Sequence, residues 1–429
     1  MTHRKPNLED RRAFARLLAL GGSASLLARP SGGDSQLARL SPAPKAPNEA
    51  YWARVRAQFA VPAGIAHINA ANLCPASLPV LESVFNATDL DHDLSPANRT
   101  RMHGIKETTR QLLADDLRVS PKEILITRNT SDSNNLVSNG LDLKPGDEVL
   151  ILSDNHPSNH LAWREKAKRF GFQVEVIEQS HPHPGPEAVL KTVRDRMRAN
   201  TRILGFTHLT NTVGDLFPAT ELCALARANG TLSLVDGAQS FGLMDVDLSL
   251  MQPDFYSGSA HKWACGPKEI GVLYVHKDVQ SRFWPSVISA YPGATELAAR
   301  SEGFGQRDEP AILGFGEALR FRATIGRSAI EARALELSGA LMEGLSKIGG
   351  VKLWTHADRT RSHAVVSFQA GDLDPTRLQI ALYANEKIVS ATRLGTDRPG
   401  LRLSPHFYNS PAEIERTLSA IRRYATRGL

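Results

Sequence analysis

Four polar clusters carry the side chains that could do chemistry. They are Thr127-Arg128-Asn129-Thr130-Ser131-Asp132, Asp154-Asn155-His156-Pro157-Ser158-Asn159, Asp236-Gly237-Ala238-Gln239 and Ser257-Gly258-Ser259-Ala260-His261-Lys262-Trp263. The last sets an amine beside an indole, and an amine becomes a nucleophile and a base once desolvation lowers its pKa. The third offers a carboxylate that can pair with a cationic group. The first offers hydroxyls and backbone N–H groups where a strand gives way to a helix, a place where phosphates bind. Ordinary N-capping would use Thr130 and Ser131 in the same geometry.

These clusters follow β-branched apolar runs that predict seven strands: 124–127, 149–152, 174–177, 203–206, 232–235, 255–259 and 272–275. Helical patterns lie between the earlier ones, at 158–170, 186–199 and 218–229, with Gly171 and Gly230 placed to end helices. Such alternation implies an α/β fold with a mostly parallel sheet covered on both faces, and ligands collect at the carboxyl ends of its strands. A (β/α)8 barrel is the competing architecture. The last two strands have almost no helix between them, and about 150 residues of different character follow, so an open sheet is preferred. The tail reads as a smaller α+β domain: a long helical pattern over 310–347, a strand at 364–368 and an amphipathic closing helix at 411–425.

The composition is that of a globular chain: 429 residues, 41% hydrophobic and 22% charged, with no uninterrupted apolar run long enough to span a membrane. The net charge of +6 does not imply nucleic-acid binding. Residues 1–30 alone hold Arg4, Lys5, Arg11, Arg12, Arg16 and Arg29 against Glu9 and Asp10, a net +4, leaving +2 for the rest. Arg11-Arg12 followed by the weakly apolar 17–28 resembles a twin-arginine export signal, which implies a periplasmic enzyme; a short surface helix in a cytoplasmic one is the alternative. The organisation expected is a signal and flexible linker over 1–48, an amino-terminal arm and large domain over 49–300, and a small domain over 301–429. Cys74, Cys223 and Cys265 suggest neither a disulfide framework nor a metal pair. His181-Pro182-His183-Pro184 is discounted as a metal site for want of nearby carboxylates, so no metal is expected.

VDGAQ followed by SGSAHKW, with Asp236 and Lys262 separated by 26 positions, resembles the class V aminotransferase family of fold-type-I pyridoxal phosphate enzymes, over about His67 to Ala425. That family includes isopenicillin N epimerase, cysteine desulfurases and kynureninase. The resemblance implies pyridoxal 5'-phosphate as cofactor, a homodimer with shared active sites and a small amino-acid substrate. Lys262 matches the lysine that links the cofactor and acts as base at Cα, and Asp236 the carboxylate paired with the pyridine nitrogen. His156 matches the residue stacked on the ring, with His160 as a neighbour that could be confused with it. Thr130, Ser131, Ser259 and His261 fall at cofactor-binding positions, and Gln239 matches a partner of the phenolic oxygen. Gln306 aligns with a threonine that reaches the phosphate from the neighbouring subunit. Arg402, in GLRLSPHFYN, matches the arginine that takes the substrate α-carboxylate, and Asn69, in HINAA, approaches the substrate. The family's desulfurases use a cysteine in the carboxyl-terminal domain, and this sequence has none after Cys265. Transamination is the simplest expectation, with Cα epimerisation or C–S β-elimination as alternatives. A pyridoxal phosphate or metabolite-binding protein without turnover is the reading from another class.

Overall fold

The computed structural model describes residues 40–429 apart from 88, 89, 91, 289–292, 304, 395 and 396. The twin-arginine segment and most of the expected linker lie outside the described residues. Leu40–Leu429 form one compact unit. Leu40 and Ala43 pack on the cluster around Trp52, Trp263 and Phe407, and the Ala43 N–H donates to the Thr324 carbonyl at 3.3 Å. Packing therefore begins ahead of Glu49, where folding was expected to start.

In chain order the strands are β1 (Ala66–His67), β2 (Ile124–Thr127), β3 (Glu148–Leu152), β4 (Gln173–Ile177), β5 (Thr201–Thr207), β6 (Leu232–Asp236), β7 (Phe255–Ser259), β8 (Gly271–Val275), β9 (Val351–Leu353), β10 (Val366–Ala370), β11 (Ile388–Val389), β12 (Ala391–Arg393) and β13 (Gly400–Leu403). The large sheet has the order β2-β8-β7-β6-β5-β3-β4. Strands β7, β6, β5, β3 and β4 are parallel neighbours. β8 runs antiparallel to both β2 and β7. The link from β7 to β8 is too short for a crossover helix, so the chain has to reverse there. These are the seven expected strands.

Both faces of this sheet are buried, as the unbroken apolar runs require. Leu150, Leu152, Leu204, Phe206, Val235 and Tyr256 face one core, and their neighbours Val149, Ile151, Ile203, Leu234 and Phe255 face the other. Helices Pro157–Phe170, Pro186–Arg196 and Ala219–Ala228 supply the crossovers. Gly171 ends the first at φ +82°, a left-handed conformation that a side chain would oppose.

A four-stranded sheet, β12-β13-β10-β9, lies in the carboxyl-terminal part, and β1 pairs with β11. The expected long helix is two, Glu309–Ile325 and Arg327–Ser346, parted at Gly326. The closing helix Pro411–Arg427 starts on a capping box between Ser410 and Glu413. A parallel bridge from Asn69 to Ser404 brings the opening segment against the end of β13.

β2 is one edge of the large sheet, and its outward groups are closed by side chains. Glu302 Oε1 accepts the Ile126 N–H at 2.8 Å and is held by Arg110 Nη1 at 2.7 Å. Arg110 Nη1 also donates to the Ile124 carbonyl at 2.7 Å, and Arg307 donates to the Ile126 carbonyl at 3.2 Å. Among the described residues no helix is long and apolar enough to cross a membrane.

Candidate active site

β5, β6 and β7 are parallel neighbours whose carboxyl ends stand side by side, Thr207 against Asp236 and Asp236 against Ser257. Asp236 is buried. Its Oδ2 accepts from Asn134 Nδ2 at 2.9 Å and its Oδ1 from the Ala238 N–H at 3.0 Å. Asn134 is itself oriented, because its Oδ1 accepts from the Ser257 hydroxyl at 2.8 Å. The sequence reading missed Asn134, although it lies one helical turn beyond Thr130 and so shares its face.

Lys262 follows β7 in a turn closed by the Cys265 N–H on its carbonyl at 2.9 Å. Its amine has no ion pair among the described residues. Burial lowers its pKa to about 8, with Asp236 raising it and Arg402 lowering it further. Behind it, Trp263 Nε1 donates to Gln239 Oε1 at 2.8 Å and Gln239 Nε2 donates to the Ala71 carbonyl at 3.0 Å. Gln239 thus joins the lysine turn to the opening loop, and its Nε2 keeps a second N–H for a ligand.

Thr130 opens the helix Thr130–Gly140. Its N–H and its hydroxyl both lie 2.8 Å from Ser259 Oγ, which brings two predicted phosphate contacts together across the β2 and β7 ends. A Cβ on Gly271 would stand 2.6 Å from the Gly258 carbonyl oxygen and 2.8 Å from Asn129 Cα, so glycine there lets β8 approach the loop. Ser131 is exposed at the same helix start. His261 accepts the Cys74 N–H on its carbonyl at 2.8 Å. Its imidazole pKa falls to about 4 through burial and the charges of Lys262 and Lys268. Gln306 is exposed.

His156 caps the helix Pro157–Phe170, its Nδ1 accepting the Ser158 N–H at 3.2 Å. Burial and the charge of Lys262 lower its pKa, Asp236 opposing and Arg402 adding to the effect, so the ring stands among the other site residues as a neutral base. His160 is committed elsewhere, with Nε2 3.0 Å from the Ser153 carbonyl. Of the two histidines, His156 is the one on which the charges of Lys262, Asp236 and Arg402 act.

Arg402 is buried on β13. Its Nη1 donates to the Asn211 carbonyl at 2.9 Å and its Nη2 to Asn69 Oδ1 at 3.2 Å. Its Nε is buried without a partner. Burial and the neighbouring Arg393 lower its pKa to about 10. A guanidinium held by two neutral oxygens with one N–H orphaned is prepared for an anion.

The sequence reading found no carboxylate near the histidine-proline run, and the fold corrects it. Asp154 and Asp215 arrive from distant loops, and ligand atoms of Asp154, His181 and Asp215 lie within 4.8 Å of one another. Arg398 fills the same space, donating to Asp154 at 3.0 and 3.3 Å and standing 3.0 Å from His181 Nδ1. A guanidinium inside the cluster makes it a charge network. His183 is buried, accepting the Gly185 N–H at 3.0 Å. All three cysteines are buried free thiols, as expected.

The donor set fits pyridoxal phosphate with an amino acid: an unpaired amine of lowered pKa, a fixed buried carboxylate, hydroxyls at a helix start, and the orphaned Nε of Arg402. Comparison with known proteins agrees. The family model for aminotransferase class-V matches residues 87–416. Isopenicillin N epimerase of Amycolatopsis lactamdurans is 28% identical over 389 residues, covering 86% of this chain and 98% of the relative. A probable cysteine desulfurase of Methanothermobacter thermautotrophicus is 27% identical over 380 residues, covering 81% and 92%. A solved structure of a C-DES mutant with glycine covalently linked to the PLP cofactor superposes with a TM-score of 0.78 at 24% identity, covering 86% of this chain and 98% of that one.

Proposed function

The chain belongs to the class V aminotransferase family, whose members are pyridoxal phosphate-dependent, and from that premise we propose that it removes the Cα proton of an α-amino acid, with transamination as the outcome. The observation that carries this reading is that the buried Asp236 and Arg402 stand close enough to Lys262 for their charges to act on its amine. When bound, pyridoxal phosphate supplies an aldehyde carbon that takes nitrogen and a ring that withdraws electrons from Cα. Asp236, fixed by Asn134 and the Ala238 N–H, offers an anion to a ring N–H. Thr130 and Ser259 offer hydroxyls to a phosphate, and Arg402 with Asn69 orients the substrate carboxylate.

Lys262, with its pKa of about 8, would take the Cα proton and, for transamination, would give it up on the same face to the carbon that the cofactor's aldehyde supplies. Inversion at Cα needs a proton donor on the opposite face. His156, matched above to the residue that stacks on the ring, has its pKa lowered by burial, which makes it a poor proton donor at neutrality. Epimerisation is the second reading, favoured by the near full-length match to isopenicillin N epimerase. Desulfuration through a persulfide is disfavoured because no cysteine follows Cys265. We further propose a homodimer, to be checked by sedimentation, and export through the twin-arginine segment, to be checked by fractionating cells that express the R11K/R12K variant.

Borohydride reduction followed by peptide mapping should place the cofactor on Lys262; a label elsewhere defeats the proposal. A panel of amino acids then separates the outcomes. Turnover that requires a keto-acid acceptor means transamination, inversion without one means epimerisation, and pyruvate release without one means elimination.

A further inference from the structure

The carboxylate clamp has a second guanidinium beside it. β12 and β13 are antiparallel, with Ala391 opposite Arg402. Arg393, two residues on from Ala391, therefore leaves the sheet on the same face as Arg402 and one diagonal step away. Among the described residues Arg393 has no ion pair, and its Nη1 is buried without a partner. Burial lowers its pKa, with the positive charge of Arg398 acting in the same direction.

The carboxylates nearby are already used. Arg398 holds Asp154 through two N–H groups and Asp397 through Nε at 2.7 Å. Asp215, buried beside Asp154, has its carboxyl raised to about 7 and so carries reduced charge at neutrality. The half-buried Arg393 and the buried Arg402 are left as like charges, each with a buried N–H nitrogen that lacks a partner. That arrangement is unfavourable until an anion reaches each of them.

We propose that Arg393 determines specificity and that the substrate is an amino acid whose side chain ends in a carboxylate. The α-carboxylate goes to Arg402 and the side-chain carboxylate to Arg393. This deepens the function proposed above and rests on its assignment of Arg402.

Calorimetric binding of unreactive acids to the purified holoenzyme tests it, with succinate, glutarate and adipate each set against the monocarboxylate of equal length. At least one dicarboxylate should bind about tenfold or more tightly than its partner. Arg393→Gln should remove that advantage while affecting the monocarboxylate far less, and Arg393→Lys should retain part of it by keeping charge without the planar fork. Equal binding of dicarboxylate and monocarboxylate by the wild type overturns the proposal without any variant. Equal loss of both in Arg393→Gln overturns it as well. Failure of Arg402→Gln to weaken either acid would instead sink the assignment of Arg402, and with it the function on which this inference rests.

Discussion

Replacing Lys262 with Met should stabilise the cofactor-free protein while abolishing its chemistry. Met keeps the length and apolar stem of Lys and removes the charge. Burial holds the Lys262 ammonium at a pKa of about 8 in place of the ordinary 10.5. Each tenfold loss of proton affinity is about 1.4 kcal/mol, so the protonated lysine destabilises the folded state by about 3 kcal/mol. Below pH 8 the folded and unfolded chains both hold the proton, and the whole penalty is present. Between pH 8 and 10.5 the folded state releases its proton first, and the penalty fades. The variant should therefore exceed wild type by about 3 kcal/mol at about pH 7 and by about half as much at about pH 9.5. Urea unfolding of both proteins stripped of cofactor, followed by tryptophan fluorescence, reads the difference. A variant less stable than wild type near neutrality, or a gap of the same size at the higher pH, would refute burial as the cause of the lowered pKa.

Three further outcomes are expected. Arg402→Lys should raise KM by about tenfold or more, since Lys cannot make the fork geometry, while the cofactor-to-protein ratio stays at the wild-type value; parallel loss of both would show the arginine serves the cofactor instead. Gly237→Ala should lower the denaturation midpoint, by about 1–3 kcal/mol in free energy, because the new Cβ would lie 2.2 Å from the Tyr256 ring; a midpoint equal to wild type would mean that the ring moves aside freely. Asp215 has its pKa raised from 3.8 to about 7, chiefly by burial, so the wild type loses stability as pH rises through that window. Asp215→Asn should gain on the wild type over the same range, and a stability difference that does not change with pH would contradict the raised value.

The large sheet was legible in the sequence because its inner strands are buried on both faces, which leaves runs such as Val149–Leu152 and Leu232–Val235 with little ambiguity. The short link between the last two strands pointed to an open sheet, and the structure adds that β8 is reversed there. Lys262, Asp236 and Arg402 stood out because their chemistry is tied to local motifs at strand ends. What stayed hidden was whatever depends on contacts between distant segments. Asn134 looks like any helical asparagine until Ser257 and Asp236 are brought to its two ends. The cluster of Asp154, His181 and Asp215 is assembled from three loops, and Arg398 enters it from a fourth. Gln239 was read as a ligand-facing amide, and only the fold shows that Trp263 and Ala71 engage it.

The plugging of β2 has a consequence for the molecule outside its chemistry. An open strand at the margin of a sheet is a template on which another chain can add by backbone pairing, the first step toward fibrous assembly. Glu302, Arg110 and Arg307 occupy that template with charged side chains, so an incoming strand would have to displace a buried ion pair before it could register. The stretch that carries Glu302 and Arg307 thereby closes the margin of the sheet that leads into the helix Thr130–Gly140.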